Sequence, residues 1–195
     1  MNQSVGTLLD ECERLHGHLC AGQVLGVRMA LLGCRLVGIT DPRERDRKKL
    51  IVWVEIDRCV ADAVSAVTGV RLGRRSLKFF DYGKVAATFL NTESGEAARV
   101  VALDESRRLA DERFPGVLDK KDRQFRAYLE ASEGELFKAE RVAVDFGELD
   151  APGRPRRRVI CEKCGEGVND GREICDTPGL VLCRPCAFGG YYQKL

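Results

Sequence analysis

Two Cys-x-x-Cys pairs near the C-terminus, Cys161-Glu162-Lys163-Cys164 and Cys183-Arg184-Pro185-Cys186, separated by eighteen residues, constrain this chain more than any other feature. Each pair can form a tight knuckle, and the two together supply four thiolates to a tetrahedral structural zinc ion. The roughly 35 residues that carry them cannot bury enough apolar surface to fold unaided, so metal supplies most of that segment's folding free energy. Residues 159–195 are therefore expected to form a zinc-ribbon domain, with Cys175 as a spare loop thiol. A redox role for Cys-x-x-Cys needs a thioredoxin-like setting that the flanking sequence lacks.

The composition changes abruptly just upstream. Residues 151–158, Ala-Pro-Gly-Arg-Pro-Arg-Arg-Arg, read as a stiff basic linker. Residues 1–150 remain for a single domain of ordinary size. Apolar spacing predicts an amphipathic helix over 4–15 and a second over 21–37, then a dense charged loop over 41–49 to which no function attaches. Leu50 to Ile56, nearly continuous in apolar and β-branched residues, reads as a strand buried on both faces. A helix beginning near Cys59 and ending at Gly69 follows it. Leu77–Phe80 and Val85–Leu90 read as strands joined through a turn at Gly83, and residues 97–103 as a further strand. Two charged helices over 104–113 and 119–131, and a strand within 136–146, complete the domain. This mixture predicts an α+β fold, a mixed helix and antiparallel-sheet core with a small C-terminal zinc-ribbon domain.

Chemistry concentrates at His16-Gly17-His18-Leu19-Cys20, which holds both histidines of the chain. Extended backbone there would put residues 16, 18 and 20 on one face, gathering two imidazoles and a thiol of the kinds that bind zinc and neighbouring transition metals. Three donors are fewer than a closed structural site needs. They equally fit a buried turn, since cysteine also packs as a small hydrophobe. Cys20 precedes a helix N-terminus, where unpaired N–H groups favour a thiolate. Asp57 and Cys59 lie where the central strand runs into the next helix, and Asp57 can either cap that helix or serve a site. Tyr82 and Lys84 can be turn residues or can face an anion.

The 32 basic and 30 acidic residues nearly cancel, so net charge calls for neither nucleic acid nor membrane as partner. No apolar run resembles a signal peptide or a membrane span, which predicts a cytoplasmic protein. Nine cysteines, grouped mostly in short motifs, then argue for reduced thiols and metal rather than disulfides.

Three motifs, His-Gly-His-Leu-Cys-Ala-Gly at 16–22, Glu-Ile-Asp-Arg-Cys-Val-Ala-Asp-Ala at 55–63 and Phe-Asp-Tyr-Gly-Lys-Val-Ala-Ala-Thr-Phe at 80–89, resemble those of the FmdE family, which takes its name from formylmethanofuran dehydrogenase. The resemblance covers most of residues 5–145 and implies an α+β core, a homodimer and, in some members, a C-terminal zinc finger. It gathers the three motifs into one pocket. His16, His18, Cys20 and Cys59 then form a core site for a second transition metal, again zinc, with Asp57, Asp81 and Lys84 supporting the ligands from behind. The implied function is that of a metal-binding accessory protein associated with molybdenum or tungsten oxidoreductase subunits. It is not itself the redox centre, because the cysteine pattern of an iron–sulfur cluster is missing. An alternative is a regulator whose zinc ribbon and Arg154–Arg158 stretch bind protein or nucleic acid, with the core as dimerisation scaffold. A third is an independent enzyme that uses Cys20 or Cys59 as nucleophile.

Overall fold

The structure, a computed structural model, describes residues 4–176 and 179–193. It divides into two compact units, Met1–Val144 and Asp145–Leu195. The first is built on five strands, β1 (Leu50–Val54), β2 (Leu77–Phe79), β3 (Ala86–Asn91), β4 (Ala97–Ala102) and β5 (Phe137–Val142), in the order β2-β1-β3-β4-β5. All neighbours are antiparallel except β1 and β2. The antiparallel-rich sheet and its helices bear out the α+β reading.

Two expectations need correction. β2 and β3 do not form a hairpin, because β1 lies between them and pairs with both. A parallel neighbour needs a crossover, and helix α3 (Cys59–Thr68) supplies it between β1 and β2. Gly83, at φ 64°, is still a turn residue. Its turn folds back on the end of the central strand, where Tyr82 and Lys84 both donate backbone N–H groups to the Glu55 carbonyl. The charged stretch 41–49, in turn, is not merely a solvated connection. Asp46 is buried and accepts from the Thr40 and Asp41 backbone N–H groups, while Arg43 bonds the carbonyls of Ala66 and Val67 and pairs with Glu11.

Helix α1 (Val5–His16) starts at Ser4, whose hydroxyl accepts from the Thr7 N–H, and stops at Gly17, which takes the left-handed conformation at φ 93°. Its Leu8, Leu9 and Cys12 are buried. Helix α2 (Ala21–Leu36) packs against α3 and over the sheet, where Leu50, Val52 and Val54 of β1 join Ala87 and Phe89 of β3 and Ala98 and Val100 of β4 in one core. Small residues set how closely these layers approach. A Cβ at Gly33 would lie 2.2 Å from the Phe89 ring, and one at Gly26 would lie 2.6 Å from the Ala63 Cβ and 2.8 Å from the Val60 carbonyl oxygen. Helices α4 (Glu105–Arg113), α5 (Lys120–Glu130) and α6 (Glu133–Leu136) complete the unit, and Arg28 of α2 donates to the carbonyls of Tyr128 and Ala131 at the end of α5.

The second unit pairs β6 (Arg158–Ile160) with β7 (Gly167–Asn169) and β8 (Glu173–Ile174) with β9 (Leu182–Cys183), and ends in the short helix α7 (Arg184–Phe188). Its arginine-rich start is tied down by ion pairs. Arg156 pairs with Glu148 at 2.7 Å and Arg157 with Glu173 at 2.6 Å, and Asp170 accepts the backbone N–H of both arginines. Among the described residues no helix is long and apolar enough to cross a membrane.

Candidate metal centre

Three ends of helices meet to build the core cluster. His16 is the last residue of α1, Cys20 is the N-cap of α2 and Cys59 is the first residue of α3. A ring nitrogen of His16 and the sulfurs of Cys20 and Cys59 all lie within 4.8 Å of one another. The route differs from simple alternation along an extended chain. The left-handed turn at Gly17 reverses α1, and the extended Cys20 then starts α2, so residues 16 and 20 converge across a corner. His18 is exposed and stands outside the three-donor group, its ring centre 4.8 Å from that of His16.

Two neighbours beyond the sequence-predicted site residues hold this geometry. Asp62, one turn along α3 from Cys59, has a carboxylate oxygen 2.8 Å from His16 Nδ1. A neutral His16 that donates from Nδ1 leaves Nε2 as its acceptor, the carboxylate–histidine arrangement that fixes ring orientation behind a metal ligand. Gln23, fully buried, accepts the Cys20 N–H and donates to the Cys12 carbonyl, tying the corner to α1. Both sit three residues after a cysteine, Cys59-x-x-Asp62 and Cys20-x-x-Gln23, and the second is the spacing of a capping box. Gly22 packs against both cysteines: a Cβ there would crowd the Cys59 Cβ at 3.3 Å and touch the Cys20 sulfur at 3.7 Å. Burial, reinforced by the adjacent Cys20 sulfur, raises the Cys59 thiol above its ordinary range.

Asp57 does not cap α3; the N-cap is Arg58, and Asp57 stays exposed at the wall of a cavity shared with Cys59. Asp81 and Lys84 are exposed in the loop after β2 and line neither cavity beside the cluster. Those two cavities have different walls. One of about 760 Å³ reaches His16 and Cys59 from beside β2 and α3. The other, of about 590 Å³, reaches Cys20 and Cys59 from beside α5 and His18.

In the second unit the donor atoms of Cys161, Cys164, Cys183 and Cys186 also lie within 4.8 Å of one another. The Cys164 and Cys183 sulfurs are 3.8 Å apart. A tetrahedron of thiolates with metal–sulfur bonds of about 2.3 Å has an edge of about 3.8 Å, so the set fits a zinc ribbon. The first knuckle turns at Gly165, at φ 74°, whose N–H bonds the Cys161 carbonyl. The backbone N–H of Cys183, with those of Cys164 and Lys163, outweighs burial and draws the Cys161 thiol down to about 6.

Fold and sites together define a class: an α+β core holding a cysteine–histidine cluster, followed by a four-cysteine appendage, both with donor sets suited to metal. The family model described as "FmdE, Molybdenum formylmethanofuran dehydrogenase operon" matches residues 15–140, and the chain belongs to the FmdE family. A crystal structure of a tungsten formylmethanofuran dehydrogenase FmdE-like protein from Syntrophus aciditrophicus superposes with a TM-score of 0.63, covering 98% of this chain and 96% of that one at 21% identity, which establishes the shared fold. A curated protein from Archaeoglobus fulgidus, named "Probable S-adenosyl-L-methionine-binding protein", is 29% identical over 208 residues. That match takes in 95% of this chain and 53% of the relative, so the chain spans about half that protein's length.

Proposed function

We propose that this protein is a cytoplasmic, homodimeric metal-binding accessory of a molybdenum or tungsten oxidoreductase, with zinc held by Cys161, Cys164, Cys183 and Cys186 and a second zinc held by His16, Cys20 and Cys59. The observation that carries this reading is the convergence of one imidazole and two thiols within 4.8 Å, with Asp62 behind the imidazole. Three donors leave a fourth position open, as working zinc sites do, whereas the four-cysteine set is closed, as structural sites are. The core centre would therefore carry the activity and the ribbon would serve folding or docking. Asp57 lines the same cavity as His16 and Cys59, which supports a role for it toward whatever occupies the open position. The association with oxidoreductase subunits is supported by family membership.

The reading in which the arginine stretch contacts nucleic acid is less well supported. Arg156 and Arg157 are engaged by Glu148 and Glu173, so a phosphate contact by either would have to displace a carboxylate.

Metal content of the full chain tests the proposal. Wild type should carry two zinc ions per chain; C59S should keep only the ribbon ion, which resists dialysis against a mild chelator, and C164S should lose that ion and keep the core one. One zinc per chain in wild type, unchanged in C59S, would remove the core centre and with it the proposed role.

A further inference from the structure

Two of the three core donors, His16 and Cys59, line the larger cavity, and that cavity has its own chemistry. Val54, Leu72, Leu77 and Phe79 give it a mainly apolar wall, its charged lining groups besides Arg71 are Asp57, Arg58 and Asp62, and its volume of about 760 Å³ lies in the range of small-molecule sites. A molecule lying in it therefore meets two of the three donors, while Cys20 lines the other cavity. Two thiolates would cancel the charge of a divalent ion, which weakens its pull on hard oxygen anions and leaves a preference for polarizable sulfur.

A guanidinium stands at the same cavity. Arg71 lines it and is held in place by hydrogen bonds to the Ser65 carbonyl at 2.7 Å, the Val70 carbonyl at 3.0 Å and the Ser65 hydroxyl. All of these use one nitrogen, Nη1, and none goes to a carboxylate among the described residues. Ser65 is six residues along α3 from Cys59, a rise of roughly 9 Å. The cavity thus offers a sulfur-seeking end, an apolar middle and an anion-seeking arginine about one six-carbon chain away.

We infer that this cavity binds a small-molecule thiol with an apolar body and an anionic far end, its sulfur completing the His16, Cys20 and Cys59 set and its anion meeting Arg71. The inference rests on the metal-centre reading above. Binding breaks the ligand's S–H bond and releases one proton to solvent per thiol bound. The electron pair stays on sulfur and nothing is oxidised or reduced.

The test uses the full chain loaded with cobalt(II), read by near-ultraviolet sulfur-to-cobalt absorption and titrated with 6-mercaptohexanoate, 6-mercaptohexanol and hexanoate. Wild type should gain absorption with 6-mercaptohexanoate, saturating at one per chain, bind the neutral thiol about tenfold more weakly, and not respond to hexanoate. R71A should bind both thiols equally. G73W adds bulk at the cavity wall, where a Cβ meets nothing within 4 Å, and should weaken both thiols while cobalt content holds. If the C59S spectrum shows that cobalt occupies the core site but 6-mercaptohexanoate changes nothing, the inference fails and the metal centre stands. If hexanoate competes as well as the thiol, sulfur recognition is refuted. Identical cobalt spectra in wild type and C59S would overturn both readings.

Discussion

Replacing Gly26 by alanine should damage the metal centre without touching it. The new methyl would sit 2.6 Å from the Ala63 Cβ, 2.8 Å from the Val60 carbonyl oxygen and 3.0 Å from the Val60 Cα. Comfortable carbon–carbon contact is about 3.5–4.0 Å, so α2 and α3 must separate by about 1 Å. Neither Val60 nor Ala63 can swing aside, because the obstacles are backbone atoms and a Cβ. Overpacking of this kind costs about 1–3 kcal/mol, partly offset by the gain of about 1 kcal/mol from removing a helical glycine. The net loss of stability should be about 0–2 kcal/mol. Cys20 and Cys59 start these same two helices, so the separation also parts the sulfurs, and metal affinity at the core site should fall by roughly 5–30-fold. Urea unfolding measures the first effect and chelator competition the second. G134A, where a Cβ meets nothing within 4 Å, is the control and should be neutral or mildly stabilising. A G26A protein with wild-type midpoint and wild-type metal affinity would refute the claim that this helix contact sets the thiol spacing.

Three further outcomes follow from the geometry. D62N should leave folding intact, since the Asp62 side chain is largely exposed, yet weaken metal at the core site by roughly 10–100-fold in chelator competition because His16 loses the partner that orients it. Among thiols outside the two clusters, Cys175 is exposed and should be alkylated quickly at pH 8, whereas burial pushes Cys12 up to about 11 and Cys34 up to about 12, so mass spectrometry should find both unmodified until urea is added. Burial alone would raise the Asp46 carboxyl, but the backbone N–H groups of Asp41 and Thr40 and the Arg45 guanidinium outweigh it and lower the value from 3.8 to about 2. The folded value lies below the unfolded one, so about 2 kcal/mol of stability is present above pH 4 and is lost as pH falls from about 4 to 2, a slope that D46N should flatten in acid unfolding monitored by circular dichroism.

The features legible in the sequence are those that depend on near neighbours. The start of α1 at Ser4, its stop at Gly17, the placement of Cys20 before α2 and the stop of α3 at Gly69 all follow from capping chemistry written within four residues. The strand at Leu50–Val54 is legible as a central one from its unbroken apolar run. Strand neighbours are not. The short link from β2 to β3 suggests a hairpin, and only the insertion of β1 between them, made possible by the α3 crossover, decides otherwise. Asp57 attracts notice because it lies two residues from Cys59, but helix geometry turns Asp62 toward His16, 46 residues away. The ion pairs that absorb Arg156 and Arg157 are likewise invisible in a run of arginines, because their partners Glu148 and Glu173 lie on either side of it in sequence.

The two donor sets differ in what positions them, and that difference bears on what each can do. In the four-cysteine set the donors come from two knuckles in a unit with short strands, and on the proposed reading that unit's folding would depend on closing around the ion. The core set is different, because His16, Cys20 and Cys59 are fixed by a sheet-backed packing of α1, α2 and α3 whose core includes Val24, Val27, Val60 and Val64. A site held by an independent core can tolerate an unfilled position, since no single ligand is needed to keep the others in place. It can exchange that position between ligands while its geometry persists. Asp62 behind His16 and the glycine contact at Gly26 serve the same end: three donors held in place by the fold itself, as the proposed metal centre requires.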